Sequence, residues 1–323
     1  MSKPEIVAIA PLPAFFAKPL HENFTVHDLH GAADAEARRA LIAKIAPTTR
    51  GMVAFGGSQL APDQLAKFPH LEIISVFGVG YDGMPLAACA EAKVKVTNTP
   101  DVLNDEVADT AVALTLMTCR QFVGAHKFVE VGDWLKGQYP LTHSLWGKTV
   151  GIIGLGRIGK GIAERLAAHK MSIAYFGRNK QDVPYTYYGN LVEMAGDVDV
   201  LIAITPGGAA TKHLVNAAVL EALGPTGFFI NVARGSVVDQ DALVKAIEAG
   251  TIAGAGLDVF EAEPKVPEAL FNRRNVVLLP HVASATHETR QAMADLAVEN
   301  LALHFAGKPV KTLVPELAGK VSP

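Results

Sequence analysis

Short apolar runs alternate along the chain with longer stretches in which apolar residues recur every three or four positions. The runs have the length of β-strands, and the longer stretches have the period of amphipathic helices. Runs that are apolar on both faces are typical of parallel sheets covered by helices. The predicted strands are EIVAIA, FTVHDL, GMVAFG, LEIISVF and VKVTN, followed by TVGIIG, MSIAYFG, DVLIAI, GFFINVA, IAGAGLDV and NVVLLP.

This alternation predicts an α/β protein with two doubly wound parallel-sheet domains, one of five strands and one of six. A chain of 323 residues is also long for one hydrophobic core. We place the boundary near Pro100, so that residues 100–285 form one domain. Residues 1–99 form the other together with 286–323, because the tail after the last helix is too short to fold alone.

Two long helices are predicted beside the domain boundaries. Asn104 can cap the first, whose pattern continues to about Gly124. The second begins near Thr286 and ends at Gly307 and Pro309, which are residues that stop helices.

Composition excludes several classes of protein. Hydrophobic residues make up 50% and charged residues 19%, which is typical of a globular protein. The net charge is −3 without a basic run, so no nucleic-acid partner is expected. No apolar run could span a bilayer, and EIVAIA is better interpreted as a strand than as part of a signal peptide.

Cysteine and histidine usage predicts a cytoplasmic protein without a metal site. Cys89 and Cys119 lie in apolar surroundings without CxxC spacing, so we expect buried, reduced thiols. The 11 histidines form neither an HExxH motif nor a Cys/His cluster, so no metal is expected.

A GxGxxG motif follows the strand TVGII and precedes an amphipathic stretch. Gly154 permits a tight turn, Gly156 lets a pyrophosphate approach the backbone, and Gly159 lets helix and strand pack closely. The start of the helix offers free N–H groups to the phosphates. We therefore predict a dinucleotide site that also includes Arg157 and Ile158. The alternative is a glycine-rich turn that binds nothing.

The end of the next predicted strand indicates which dinucleotide binds. Arg178 lies 19 residues after Gly159, near the ~20-residue offset at which an acidic residue would bind a ribose 2′-hydroxyl. A guanidinium instead attracts a 2′-phosphate, and Asn179 adds a neutral donor. The expected cofactor is therefore NADP(H) rather than NAD(H). The alternative is that Arg178 is only a solvated cation in a loop.

Three further polar residues follow predicted strands of the same domain. Arg234 follows GFFINVA, Glu263 follows IAGAGLDV, and His281 follows NVVLLP. Because the carboxyl ends of parallel strands form the ligand crevice, we expect all three beside the dinucleotide turn. Singly, each has an ordinary interpretation, as a helix-capping arginine, a loop acid and a core histidine.

Together these three residues suit the reduction of a ketone. Hydride transfer to a carbonyl carbon leaves an oxyanion, which His281 can protonate because imidazole titrates near neutral pH. Glu263 can hydrogen-bond the other ring nitrogen and orient the ring. Arg234 can bind a carboxylate and polarise the adjacent carbonyl, which indicates a 2-keto acid substrate.

The runs GKTVGIIGLGRIGKGIAERL, NVARGSVVDQDAL, GAGLDVFEAEP and LLPHVAS resemble the D-isomer-specific 2-hydroxyacid dehydrogenases. ISVFGVGYD and VTNTPDVLNDEVADTAVAL extend the resemblance to the first domain. The runs YFGRNK and LGPTGFFINVARG are most similar to the glyoxylate/hydroxypyruvate reductase branch, which tends to use NADPH and includes plant hydroxyphenylpyruvate reductases. The resemblance implies a Rossmann cofactor domain and a flavodoxin-like substrate (catalytic) domain.

The resemblance also implies roles for individual residues. The catalytic residues of the family fall on Arg234, Glu263 and His281, and the amides that bind the substrate carboxylate fall on Val79 and Gly80. A homodimer is implied, formed by the helix after residue 104 and the loop through Trp134 and Tyr139. The alternative for these two aromatic residues is ordinary core packing. Further cofactor contacts are implied at Thr205, Pro206, Val232 and Asp258.

The sequence departs from the family at Gly207 and Gly208, which change the loop beside the cofactor. The chain ends soon after its last helix, so no regulatory C-terminal domain is expected.

The expected function is NADPH-dependent reduction of glyoxylate and hydroxypyruvate. One alternative is a reductase of a bulkier or aromatic keto acid such as hydroxyphenylpyruvate. Another is a nucleotide-sensing binding protein like the corepressors that share this fold.

Overall fold

The computed structural model describes residues 3–322. Its strands are β1 Glu5–Ala8, β2 Thr25–Asp28, β3 Thr49–Phe55, β4 Ile73–Phe77, β5 Lys95–Thr97, β6 Thr149–Ile153, β7 Ser172–Phe176, β8 Thr186–Tyr188, β9 Val200–Ala203, β10 Phe228–Asn231, β11 Gly254–Leu257 and β12 Val276–Leu278. Its helices are α1 Ala14–Asn23, α2 Ala35–Ile45, α3 Pro62–Leu65, α4 Leu86–Glu91, α5 Asn104–Cys119, α6 Phe122–Glu130, α7 Arg157–Ala168, α8 Leu191–Asp197, α9 Ala217–Leu223, α10 Gln240–Ala249 and α11 His287–Phe305. Single 3₁₀ turns lie at Asp133–Leu135, Gly235–Val237, Glu268–Leu270 and Pro315–Leu317.

The chain divides into two compact units, one built from the chain up to Leu103 and from Thr286 onward, the other from Asn104–Ala285. The first unit contains a parallel five-stranded sheet in the order β2-β1-β3-β4-β5. This is the flavodoxin-like order, and a sheet of this order binds ligands beside the carboxyl ends of its strands.

The second unit contains a parallel seven-stranded sheet in the order β12-β11-β10-β9-β6-β7-β8. Strands β9 and β10 are buried throughout, as their uninterrupted apolar runs predict. The prediction of six strands is wrong by one, because β8 pairs with β7 at the sheet edge. It is three residues long and only partly buried, so no apolar run marks it.

The predicted helix from Asn104 to Gly124 is interrupted. Gln121 has a φ of 50°, which lies in the left-handed region and cannot continue a right-handed helix. The chain therefore turns between α5 and α6. Helix α5 buries one face against its own unit, whereas α6 contains no buried residue.

Helix α11 and the tail lie in the first unit. The Thr286 hydroxyl accepts a hydrogen bond from the Thr289 amide at the start of α11. The Val314 amide donates to the Val96 carbonyl, so the tail joins the edge of the first sheet.

No helix within residues 3–322 has both the length and the apolar surface needed to cross a membrane.

Both cysteines are buried and free, which confirms the prediction made from their surroundings. Burial raises the pKa of the Cys89 thiol to about 11 and that of the Cys119 thiol to about 12. Because the thiolate is the reactive form, these side chains act as small apolar groups in the core.

Candidate active site

The glycine turn joins β6 to α7 at the point where the strand order of the second sheet reverses. Gly154 has a φ of 101°, and a Cβ there would lie 3.1 Å from the Ile204 carbonyl oxygen. A Cβ at Gly159 would lie 2.1 Å from the Gly154 carbonyl oxygen. A Cβ at Gly156 would meet no atom within 4 Å. The fold itself therefore requires the first and third glycines, whereas the space beside Gly156 is open to a ligand.

This difference gives a testable prediction for two alanine variants. Gly159→Ala should destabilise the protein by about 1–3 kcal/mol, because its methyl group overlaps backbone that cannot move freely. Gly156→Ala should leave the free energy of unfolding unchanged but weaken dinucleotide binding by roughly tenfold or more, which corresponds to ~1.4 kcal/mol. Denaturant unfolding and NADPH titration would measure both effects. Equal loss of stability in the two variants would contradict this assignment.

The segment that carries Arg178 lies beside the glycine turn. The Gly154 amide donates to the Phe176 carbonyl at 2.9 Å, and the Gln181 side chain donates to the Leu155 carbonyl at 2.9 Å. These bonds hold both ends of the segment against the turn. Arg178 and Asn179 are exposed between them, so their side chains are available to a ligand at this edge.

The other predicted cofactor residues follow neighbouring strands. Thr205 and Pro206 follow β9, and a Cβ at Gly154 would lie 3.2 Å from Thr205 Cα. Val232 follows β10 and is buried, with its amide donating to the Ala203 carbonyl. Arg157 and Ile158 are the first two residues of α7.

The three candidate catalytic residues follow β10, β11 and β12, which are adjacent in the sheet. His281 Nδ1 lies 2.8 Å from Glu263 Oε2, and Glu263 Oε1 accepts a hydrogen bond of 3.0 Å from the Phe260 amide. Burial alone would raise the pKa of Glu263. The hydrogen bonds from His281 and Phe260, with the charges of His281 and Arg234, hold that pKa below its usual value. Glu263 is therefore a carboxylate that orients the His281 ring.

Asp258 fixes the backbone around His281. It is 1% exposed, and its carboxylate accepts hydrogen bonds from the Val282 amide at 2.7 Å and the Ala283 amide at 3.1 Å. Its carbonyl accepts from the His281 amide, and His281 has a φ of 54°. Burial raises the pKa of Asp258, although the two amides oppose this shift. Its contact with a cofactor remains a prediction, but its observed contacts position His281.

Asn231 was not among the residues predicted for the site. It is fully buried at the end of β10, where its side chain donates to the Arg234 carbonyl and accepts from the Ala233 amide, both at 3.0 Å. The turn that presents Arg234 is thus held by a side-chain amide. The sequence does contain a sign of this role, because Asn231 is a polar residue at the end of an otherwise apolar strand.

Val79 and Gly80 belong to the first unit and follow β4. The Val79 carbonyl accepts a hydrogen bond from Asn98, and the Gly78 amide donates to the Thr99 hydroxyl. Within residues 3–322, neither the Val79 amide nor the Gly80 amide donates a hydrogen bond. Both amides are available as donors to an anion, and their binding of a substrate carboxylate stays a prediction.

The predicted dimer loop carries large exposed apolar side chains. Trp134 is 67% exposed and Leu135 is 94% exposed, whereas the Tyr139 ring packs edge-on against Phe128 at 5.3 Å. A groove of about 530 Å³ lies beside this loop, lined by α6 and by residues 270–279.

Chemically, the second unit combines a dinucleotide turn with an imidazole that can transfer a proton and a guanidinium on the neighbouring strand. His281 Nδ1 is occupied by Glu263, so Nε2 is the ring nitrogen available to a reacting oxygen. This set of groups suits hydride transfer coupled to proton transfer.

Comparisons with known proteins identify the family of this chain. The family model for the D-isomer specific 2-hydroxyacid dehydrogenase, NAD binding domain, matches residues 112–283. A hydroxyphenylpyruvate reductase of Plectranthus scutellarioides is 45% identical over 96% of this chain and 98% of its own. A glyoxylate/hydroxypyruvate reductase of Arabidopsis thaliana is 41% identical over the same shares.

The crystal structure of an NADPH-dependent glyoxylate/hydroxypyruvate reductase from Sinorhizobium meliloti, in complex with NADP and malonate, has a TM-score of 0.90 to this chain. The two chains are 46% identical, and the match covers 98% of each. The sequence resemblance is thereby confirmed, as is the pair of parallel-sheet domains. The second unit contains the nicotinamide dinucleotide-binding domain that the family model describes, and the chain belongs to the D-isomer-specific 2-hydroxyacid dehydrogenase family, in its glyoxylate reductase branch.

Proposed function

We propose that this protein reduces small 2-keto acids, glyoxylate and hydroxypyruvate, to 2-hydroxy acids with NADPH. The observation that carries the proposal is the 2.8 Å bond between His281 Nδ1 and Glu263 Oε2, beside the strand that presents Arg234. Asn104–Ala285 would be the dinucleotide-binding domain, and the other unit would be the substrate domain.

The residues around the glycine turn fit NADP(H). The open space beside Gly156 would admit the pyrophosphate, and the first amides of α7 would bind it. Arg178 and Asn179 would bind the 2′-phosphate, because both side chains are exposed next to the turn. When bound, the cofactor supplies a hydride to the carbonyl carbon of the substrate.

The side chains of this protein would complete the reaction. Arg234 would bind the substrate carboxylate and draw electron density toward the carbonyl oxygen. His281 Nε2 would donate a proton to that oxygen as negative charge develops on it. Glu263 would stabilise the protonated ring through Nδ1, while Asp258 holds the loop in place. In the other unit, the Val79 and Gly80 amides are proposed to bind a carboxylate.

A panel of keto acids tests this proposal. With NADPH, we expect higher kcat/KM for glyoxylate and hydroxypyruvate than for keto acids with larger side chains. A protein that reduces only large keto acids would contradict the assignment to small substrates. A protein that reduces none would contradict the assignment to an enzyme.

The second candidate substrate is hydroxyphenylpyruvate, which the name of the Plectranthus relative favours. Two aromatic residues near the predicted carboxylate site have partners within their own unit. Phe77 is 2% exposed among other phenylalanines, and the Tyr81 hydroxyl donates to Glu316 at 2.9 Å. If hydroxyphenylpyruvate is the substrate, its kcat/KM will exceed that of glyoxylate in the same panel.

We also propose that the protein is a cytoplasmic homodimer. Trp134, Leu135 and Leu141 are large apolar side chains that are mostly exposed, and Asp133 and Tyr139 of the same segment line the groove beside α6. Exposed apolar side chains concentrated in one segment support an interaction site there. Light scattering should give twice the mass of the chain, whereas Leu135→Glu should shift the protein toward monomer. A monomeric wild-type protein would contradict the proposal.

A further inference from the structure

His213 contacts two loops that carry candidate catalytic residues. Its amide donates to the Ser236 carbonyl at 2.8 Å, two residues after Arg234. Its Nε2 lies 3.0 Å from Glu261 Oε1, two residues before Glu263. Because His213 itself lies in the loop between β9 and α9, it connects the loops that follow three adjacent strands, β9, β10 and β11.

The two catalytic loops also contact each other through their backbones. A Cβ at Gly235 would lie 1.9 Å from the Phe260 carbonyl carbon and 2.3 Å from the Glu261 nitrogen. The Glu261 amide donates to the Gln240 side chain at 3.1 Å. A displacement of the Glu261 segment would therefore displace the turn that begins at Arg234 as well.

The backbone of His213 is held in an unfavourable conformation. Its φ is 52°, a left-handed value that is uncommon outside glycine and that persists only where its surroundings impose it. The loop before it is closed by the Thr211 hydroxyl, which donates to the Pro206 carbonyl at 2.7 Å. The paired glycines therefore lie in a short turn closed between Pro206 and Thr211, two residues before His213.

We propose that His213 and Glu261 are positioning residues of this active site. The hydrogen bond between their side chains would fix the position of the Glu263 loop relative to the Arg234 loop. Glu263 in turn orients His281. Each side chain is 38% exposed, and a pair this exposed contributes little to stability. Its effect is geometric, since small displacements of catalytic groups lower kcat strongly. The proposal rests on the function proposed above.

Matched variants separate this role from a structural one. Glu261→Ala removes the acceptor, and His213→Asn tolerates the left-handed backbone but is too short to reach Glu261. Glu261→Gln keeps an oxygen that can accept from Nε2. Glu248→Ala, in a comparably exposed ion pair of the same unit, is the control.

We expect kcat with NADPH and glyoxylate to fall about tenfold in Glu261→Ala and in His213→Asn. The KM for NADPH and the thermal midpoint should change little. Glu261→Gln and the control should keep nearly the wild-type kcat. Unchanged kcat in both disrupting variants would overturn the proposal, and so would a loss matched by weaker cofactor binding or lower stability.

Hydrogen exchange provides a readout that does not depend on turnover. In both disrupting variants the amides of residues 234–239 and 258–263 should exchange faster than in the wild type, because the loops open more often. If the wild-type protein reduces no keto acid, the proposed function fails, and faster exchange would still support the role of the pair in positioning the loops. Unchanged exchange in these segments would overturn that role.

Discussion

Replacing His281 with alanine should lower kcat for keto-acid reduction by about 10²–10⁴-fold, the usual contribution of a positioned general acid. The oxyanion left by hydride transfer would then have to take its proton from water. Cofactor binding should persist, because the His281 ring is hydrogen-bonded to Glu263, whereas the Arg178 segment and the glycine turn are held by separate hydrogen bonds.

The control for this variant is His169→Ala. His169 is exposed at the end of α7 that lies away from the glycine turn, so its loss should leave kcat unchanged. Steady-state kinetics at saturating NADPH measures both variants. Wild-type turnover in His281→Ala would remove this residue from the mechanism. A wild-type protein that binds NADPH without turnover would instead favour the corepressor-like alternative.

Replacing Arg178 with aspartate should reverse the choice of cofactor. The guanidinium would make charge-assisted hydrogen bonds to the 2′-phosphate, each contributing about 1.5–3 kcal/mol. A carboxylate in the same place would repel that phosphate and could accept a hydrogen bond from a 2′-hydroxyl. We therefore expect the ratio of kcat/KM for NADPH to that for NADH to fall by about 100-fold or more.

This second prediction also has a matched control. Lys245→Glu makes the same change of charge on α10 and should leave the cofactor ratio unchanged, which separates a local contact from the overall field of the protein. The effect of Arg178→Asp on the cofactor ratio should become smaller at higher salt concentration, because salt screens the charge of the side chain. If NADH is already preferred by the wild-type protein, Arg178 is only a solvated cation.

The features that could be predicted from the sequence are those determined by residues that are close together along the chain. Buried strands of a parallel sheet are apolar on both faces, so their runs stand out. The glycines at positions 154 and 159 are required by steric contacts of the turn itself, which any sequence that folds this way must satisfy. His281 and Glu263 could be placed near each other because both follow strands of the same parallel sheet, whose carboxyl ends lie at one edge and form the ligand crevice.

The features that were missed depend on tertiary contacts. Strand β8 is short and partly exposed, so only its pairing with β7 defines it. The break at Gln121 does not disturb the helical spacing of apolar residues on either side. Asn231 and the pair of His213 with Glu261 act across loops that are distant in sequence, and no local pattern marks such partners.

The proposed reduction of glyoxylate with NADPH can be measured directly as the initial rate at which the wild-type protein oxidises NADPH and NADH in the presence of glyoxylate. We expect oxidation that depends on the keto acid, with a kcat/KM for NADPH at least about tenfold above that for NADH, which corresponds to ~1.4 kcal/mol. Absence of keto-acid-dependent oxidation with either cofactor, or a clear preference for NADH, would contradict it.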